Sequence, residues 1–225
     1  MEESQKIKLL IGVPAYGGMC YTAFTESLLL TKTFLDQCNI DFDVKFINNQ
    51  IVTRARNMIS HIFMNDESYT HLLFIDSDIQ WNPTHIIMLL EHNLECVIGI
   101  YPNKKYYKKD KQIILNPSSD ILPVNPLVSS KENLLPIKFA ATGFMLLTKS
   151  ALKRIENDID TFFLPTQDTV EKVYNYFDCN VVDNNYLTED YFFSYLFVKN
   201  GGEIWADKRI NLYHHGHHCY GELAS

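Results

Sequence analysis

The first hundred residues alternate between short apolar runs and stretches of helical spacing, an order that few architectures accept. Ile7 to Val13 is an apolar, β-leaning run stopped by Pro14 and the Gly17-Gly18 pair, which suits a buried strand ending in a loop. Thr22 to Gln37 carries helical spacing, Asp41 to Ile47 reads as a second strand and Val52 to Met64 as a second helix. His71 to Ile75 makes a third strand, Pro83 opens a helix through about Asn93, and Cys96 to Ile100 supplies a fourth strand. Strand and helix in strict turn predict an α/β fold with a largely parallel sheet flanked by helices.

The pattern breaks from Tyr101 to Pro136, where five of the eight prolines fall and Lys104, Lys105, Lys108, Lys109 and Lys111 cluster at the start. This segment, 101–136, reads as a long loop or hairpin excursion, mobile and open to gating by substrate, with a solvated insertion as the alternative. Regularity returns with Ile137 to Leu147 as strand, Lys149 to Ile155 as helix and Asp190 to Lys199 as helix closed by Gly201-Gly202. Glu203 to Ala206 and Ile210 to Tyr213 suit short final strands. No low-complexity linker divides the chain, so residues 1–225 are expected to form one domain.

A formal charge of -7 argues against a protein that blankets nucleic-acid phosphates and leaves a bound cation welcome. The five cysteines are scattered, with neither the paired spacing of a zinc site nor the density of a disulfide scaffold. Pro14 and two glycines interrupt the first apolar run before it could become a signal core or membrane span. A cytoplasmic protein without a transmembrane segment is the expectation.

The strongest chemical signal is Asp76-Ser77-Asp78, directly after the apolar strand Leu72-Leu73-Phe74-Ile75. Two carboxylates at a strand exit let one reach a divalent cation while the other turns towards a ribose or a metal-bound water, and oxygen ligands suit Mg²⁺ or Mn²⁺. Acids are also common in turns, so the triplet alone fixes nothing. A second constellation, Thr188-Glu189-Asp190, opens a predicted helix, with Thr188 as N-cap and the acids in the favourable first turn. A carboxylate on such a rigid helix end can remove a proton from an attacking hydroxyl. The third is Tyr213-His214-His215-Gly216-His217-His218 near the C-terminus. Imidazole beside carboxylate favours Mn²⁺.

The order of strand, Asp-Ser-Asp, Thr-Glu-Asp and terminal histidine resembles the GT-A glycosyltransferases, especially small bacterial and large-virus members. Arg54-Ala55-Arg56-Asn57 ahead of the His71–Asp78 segment matches the Arg-Asn helix often found there. The resemblance implies a nucleotide-diphospho-sugar transferase fold and a metal-dependent transfer of sugar from a nucleotide diphosphate donor, UDP by analogy, to a hydroxyl on a glycan or other acceptor. It places the nucleotide on the loop Pro14-Ala15-Tyr16, with Tyr16 stacking on the base. Asp76 and Ser77 would face the donor, and Asp78 and Asp76 the metal. His214 completes the metal shell by its His-x-Gly alignment, with His215 the alternative if the register slips. Asp190 is implied as base and Glu189 as an acceptor-orienting neighbour, hence inversion at the anomeric carbon.

Chemically, an aromatic face beside a strand-end loop can stack on a base, and Arg54 or Arg56 can meet phosphate or sugar oxygens with its planar fork. Asn57 is a neighbouring donor-side candidate. Gly143, within Ala140-Ala141-Thr142-Gly143-Phe144, is a candidate on the acceptor side because a ligand can approach a glycine backbone closely, although a bulge or tight packing explains it as well. Trp81 and Tyr101 could stack on sugar rings or belong to the core. Two rival classes are a haloacid-dehalogenase-type phosphatase using Asp76 and Asp78 as nucleophile and acid, and a non-catalytic sugar-nucleotide-binding module.

Overall fold

The computed structural model describes residues 6–109, 112–122, 132–165 and 169–221. Strand β1 (Lys8–Ala15) passes through helix α1 (Thr22–Gln37) to β2 (Asp41–Asn48), and α2 (Val52–Asn65) leads to β3 (His71–Ile75). The two-residue strand β4 (Ile79–Gln80), helix α3 (Thr84–Glu91) and β5 (Cys96–Ile98) follow. Next come β6 (Pro102–Lys109), β7 (Gln112–Pro117), β8 (Asp120–Ile121), β9 (Leu134–Phe139), β10 (Phe144–Thr148) and helix α4 (Lys149–Lys153). Two hairpins, β11 (Thr161–Pro165) with β12 (Val170–Tyr174) and β13 (Asn180–Val182) with β14 (Asn185–Leu187), precede α5 (Glu189–Lys199), β15 (Ile204–Asp207), β16 (Tyr213–His215) and β17 (Cys219–Tyr220).

The central sheet has the order β2-β1-β3-β10-β5-β15-β9-β8. β1 pairs parallel with β2 and β3, and β15 parallel with β5. β10 lies antiparallel between β3 and β5, while β9 lies antiparallel to β15 and β8. All but β9 and β10 therefore run in one direction, and the sheet is mostly parallel.

Side-chain alternation along these strands feeds two separate cores. Leu10, Leu72, Phe74, Ile98, Met145 and Leu147 pack on one face against Ile59 and Phe63 of α2 and Phe193 and Phe197 of α5. Their neighbours Leu9, Ile11, Leu73, Ile75, Val97 and Leu146 pack on the other face against Phe24 and Leu35 of α1 and Ile86 and Leu89 of α3. A strand covered on both sides must be apolar at every position, which is why β1 and β3 read as unbroken hydrophobic runs. Each such side chain contributes about 1.5–3 kcal/mol by leaving water.

One expectation needs correction. The single strand expected over Ile137 to Leu147 is two strands at different places in the sheet. Between them the backbone N–H groups bond to side chains rather than to a ladder: Ala140 to Ser194 Oγ at 3.0 Å, Ala141 to Ser119 Oγ at 2.9 Å and Gly143 to Tyr101 Oη at 3.1 Å. Those bonds satisfy the donors while letting the chain cross over. The excursion expected at 101–136 holds regular structure in the β6–β7 hairpin and β8, while its residues 110–111 and 123–131 lie outside the described residues. The side chains of Lys105, Lys108 and Lys109 and all of Lys111 lie outside them too.

The close approach expected at Gly143 is made by the protein itself. A Cβ there would stand 2.4 Å from Tyr101 Oη and 2.9 Å from Asp76 Oδ2. Gly143→Ala is therefore expected to lower stability by about 1–3 kcal/mol through overpacking, read as a lower urea midpoint at unchanged slope; an unaltered midpoint would show that Tyr101 yields freely.

Candidate active site

The site forms where β1 and β3 end side by side. β1 runs into a tight turn over Tyr16–Gly18, where Gly17 takes a φ of 73°, a left-handed conformation that costs a glycine little. Tyr16 emerges 79 % exposed, whereas Ala15 is buried beneath it. The Tyr21 N–H donates to the Ser77 carbonyl at 3.0 Å, tying this loop to the acidic turn after β3. Asp76 N–H donates to the Gly143 carbonyl and its own carbonyl accepts from Ile79, so the turn is fixed on both sides. Pro14, Tyr16, Asp76, Ser77 and Asp78 line one cleft with Arg56 and His214.

A short strand pairing delivers the histidine. β16 pairs antiparallel with β4, setting Tyr213 opposite Gln80 and His214 opposite Ile79. The His215 N–H donates to the Asp78 carbonyl at 2.8 Å. Because successive side chains on a strand point opposite ways, His214 faces the Asp78 carboxylate, with Nε2 3.5 Å from Oδ1, while the His215 ring meets Gln80 Oε1 at 2.9 Å. The register that sequence left open thus selects His214 as the imidazole at the carboxylate.

The other ring nitrogen of His214, Nδ1, lies 2.9 Å from the Pro102 carbonyl. A carbonyl only accepts, so Nδ1 carries a proton, and Nε2 is the ring atom turned to the carboxylate. A carboxylate oxygen and an imidazole nitrogen 3.5 Å apart can share one cation when Nε2 carries no proton, and a carbonyl behind the ring is the usual support for a metal-ligating histidine. Burial pushes the Asp78 carboxyl up, but the hydrogen bonds and charges of His214 and Lys104 outweigh it and hold the group below the ordinary carboxylate range. Among the described residues no three His, Cys, Asp or Glu side chains cluster as a metal site. An ion that faces substrate phosphates needs few protein ligands, since phosphates and water complete its shell, so the Asp78–His214 pair fits such an ion, with the imidazole favouring Mn²⁺ over Mg²⁺.

Arg56 joins the two acidic constellations. Its Nη2 lies 3.2 Å from Asp76 Oδ1 and its Nε 3.4 Å from Glu189 Oε1, although the two carboxylates are separated by more than a hundred residues in sequence. The guanidinium is buried, which disfavours its charge, yet the fields of Asp76, Glu189 and Asp190 outweigh that and raise its pKa. Among the described residues the buried Nη1 has no hydrogen-bond partner, and an unsatisfied donor on a cleft-lining cation would be met by an anionic group that reaches it.

Asp190 sits in the first turn of α5. Its Oδ1 accepts from Thr188 Oγ1 at 2.5 Å and from the Tyr191 N–H at 2.9 Å. Thr188 occupies the N-cap position but its hydroxyl serves Asp190 instead of capping the helix. Burial and then the neighbouring Glu189 charge raise the Asp190 pKa, against the bonds from Thr188 and Tyr191 and the charge of Arg56. A raised carboxyl is a better proton acceptor at neutral pH than an ordinary one.

Several candidates lie elsewhere. Arg54 is exposed on α2, outside the cleft-lining set. Asn57 is buried with its amide fully employed: Nδ2 donates to Asn175 Oδ1 at 2.6 Å and to the Phe177 carbonyl at 3.0 Å, and Oδ1 accepts from the Phe177 N–H at 2.8 Å. It fastens α2 to the 175–177 loop and has nothing left for a donor. Trp81 and Tyr101 are both buried, Trp81 bonding to Thr31 and Tyr101 packing edge-on against the His214 ring. Sequence reasoning missed Gln50 and Val52, which complete the cleft wall, and the pairing of Lys104 with Asp78. Gln50 stands in an irregular loop, where no periodicity could have marked it.

The chain matches no protein-family model and no curated protein. Solved structures do share its architecture. The A197 protein from STIV superposes with a TM-score of 0.52 at 13% identity, over 97% of this chain and 97% of that one. GalNAc-T7, crystallised with UDP, GalNAc and Mn²⁺, superposes with a TM-score of 0.54 at 9% identity, over 95% of this chain and 44% of that longer one. The fold is GT-A. In this GT-A chain the cleft opens beyond the carboxyl ends of the parallel strands β1 and β3, the edge at which open α/β sheets receive their ligands. No helix among the described residues is long and apolar enough to cross a membrane.

Proposed function

We propose that this protein is a metal-dependent glycosyltransferase that moves a sugar from a nucleotide diphosphate donor, UDP-linked in our reading, to a hydroxyl on a glycan or related acceptor. The observation that carries the reading is the β4–β16 pairing, which sets His214 Nε2 against Asp78 inside a cleft shared with Tyr16 and Arg56. The mostly parallel GT-A architecture and the Mn²⁺ and UDP of the GalNAc-T7 complex support it.

In this reading the exposed Tyr16 ring stacks on the base, and Asp76 and Ser77 border the ribose and diphosphate. Asp78 and His214 would hold Mn²⁺ or Mg²⁺, which as a Lewis acid would stabilise the charge that gathers on the departing diphosphate. Arg56 offers Nη1 to phosphate or sugar oxygens while fixing Asp76 and Glu189 with its other nitrogens. Asp190 takes the proton from the acceptor hydroxyl as that oxygen attacks the anomeric carbon, giving single displacement with inversion; Glu189 orients the acceptor. A cavity of about 460 Å³ bordered by Tyr191, Tyr195, Phe139, Asp120 and Asp183 begins one residue beyond Asp190 and offers aromatic surface and hydroxyl acceptors to a sugar. The phosphatase reading needs Asp76 as a free nucleophile, whereas Arg56 neutralises that carboxylate.

A ligand that binds only the folded state raises stability by about 2.7 kcal/mol at a hundred times its Kd, which for a chain of this size moves Tm by about 5–10 °C. One UDP-sugar is expected to give a shift of that order with Mn²⁺ and a much smaller one without it. A screen in which no nucleotide sugar shifts Tm in either condition would refute the donor assignment. Transfer to acceptor by the binding-competent protein separates an enzyme from a binding module.

A further inference from the structure

Asp78 has a second cationic partner that the functional reading leaves unused. Lys104, near the start of β6, places Nζ 2.5 Å from Asp78 Oδ2. The opposite oxygen, Oδ1, faces His214 Nε2. The ammonium also lies 6.0 Å from the centre of the Tyr21 ring, whose backbone is bonded to Ser77. The Lys104 stem packs beside Gly216, just past the histidine strand. The carboxylate is about three-quarters shielded, and an ammonium there neutralises the charge a divalent ion would otherwise meet.

We propose that Lys104 is a diphosphate-contacting residue of the transfer reaction, parked on Asp78 until a divalent ion takes that carboxylate and then turned to the donor's phosphates. The inference rests on the functional reading above. The stem is flexible, and an ammonium is a compact point charge that exchanges one oxyanion for another without demanding bidentate geometry. Lys104 already offsets the carboxylate's charge through Oδ2, so an ion arriving on the Oδ1 side meets less negative charge, and ion and lysine compete for Asp78. The diphosphate that arrives with the ion supplies new oxygens within a few ångströms, and the released ammonium adds positive charge where the leaving group gathers negative charge.

Lys104 is partly exposed and its replacement leaves the core untouched. Two titrations on the whole protein test the proposal: MnCl₂ alone, read by the electron paramagnetic resonance signal of free Mn²⁺, and UDP at saturating Mn²⁺, read by calorimetry. Lys104→Met is expected to bind Mn²⁺ alone about tenfold more tightly and UDP about tenfold more weakly, a coupling of ordinary size. Lys104→Arg, which keeps the charge, is expected to stay within about threefold of wild type for the ion. Wild-type Mn²⁺ affinity in Lys104→Met overturns the parking on Asp78, and wild-type UDP affinity overturns the contact with diphosphate. If wild type binds Mn²⁺ and UDP normally, only the role of Lys104 has failed; if neither variant nor wild type binds UDP with Mn²⁺, the glycosyltransferase reading has failed with it.

Discussion

Asp190→Asn is expected to reduce sugar transfer by about 10²–10⁴-fold while leaving Mn²⁺-dependent UDP binding within about twofold of wild type. The substitution keeps the oxygen that accepts from Thr188 and Tyr191 and removes only basicity. The same variant is expected to be more stable than wild type at neutral pH. Burial and the Glu189 charge raise the Asp190 pKa in the folded state, so the native protein binds this proton more tightly than the unfolded chain. Stability then falls as pH rises from the unfolded value of about 3.9 through the raised folded value. The penalty is absent at more acidic pH and complete above that window. Asparagine never ionises, so the variant gains Tm above the window and gains nothing below it. Activity assays beside melting curves at acid and neutral pH read both effects. A fully active variant removes Asp190 from the chemistry, and one destabilised at neutral pH contradicts the burial argument.

Arg56→Met carries the largest expected loss of stability. The guanidinium is buried between Asp76 and Glu189, and removing one member of such an assembly leaves uncompensated buried charge, which costs about 3–5 kcal/mol. Urea unfolding would show it as a lower midpoint. Arg56→Lys has no fork to span both carboxylates and is expected to recover only part of the loss. Because Arg56 links the acidic turn after β3 to the start of α5 through side-chain bonds to both, transfer is expected to collapse in the methionine variant even under conditions where it remains folded. A midpoint within about 1 kcal/mol of wild type would show that the two carboxylates find other partners.

The strands and helices of the first half were legible because β1 and β3 are buried on both faces and α1 and α2 are long enough to display a period. The acidic turn after β3 was legible for a related reason: a long apolar run gives carboxylates an unmistakable frame. The second half resisted reading where structure depends on partners remote in sequence. β9 and β10 look like one strand because nothing between Phe139 and Phe144 announces that Ser194, Ser119 and Tyr101 will take over its hydrogen bonds. β4 and β16 are two and three residues long, below any periodic signal, yet their register decides which histidine meets Asp78. Asn57 shared a segment with Arg56 but points into the 175–177 loop, a distinction that one helical step of about 100° creates and no motif records.

Asp78 and His214 together are expected to hold the divalent ion that faces a donor diphosphate. Crystals grown with MnCl₂ and UDP, measured at the manganese absorption edge, test it most directly. An anomalous peak is expected at about 2.0–2.3 Å from an Asp78 carboxylate oxygen and from His214 Nε2, with diphosphate oxygens filling further positions. Manganese bound at any other group of side chains, or UDP seated in this cleft with no ion between it and Asp78, would contradict it.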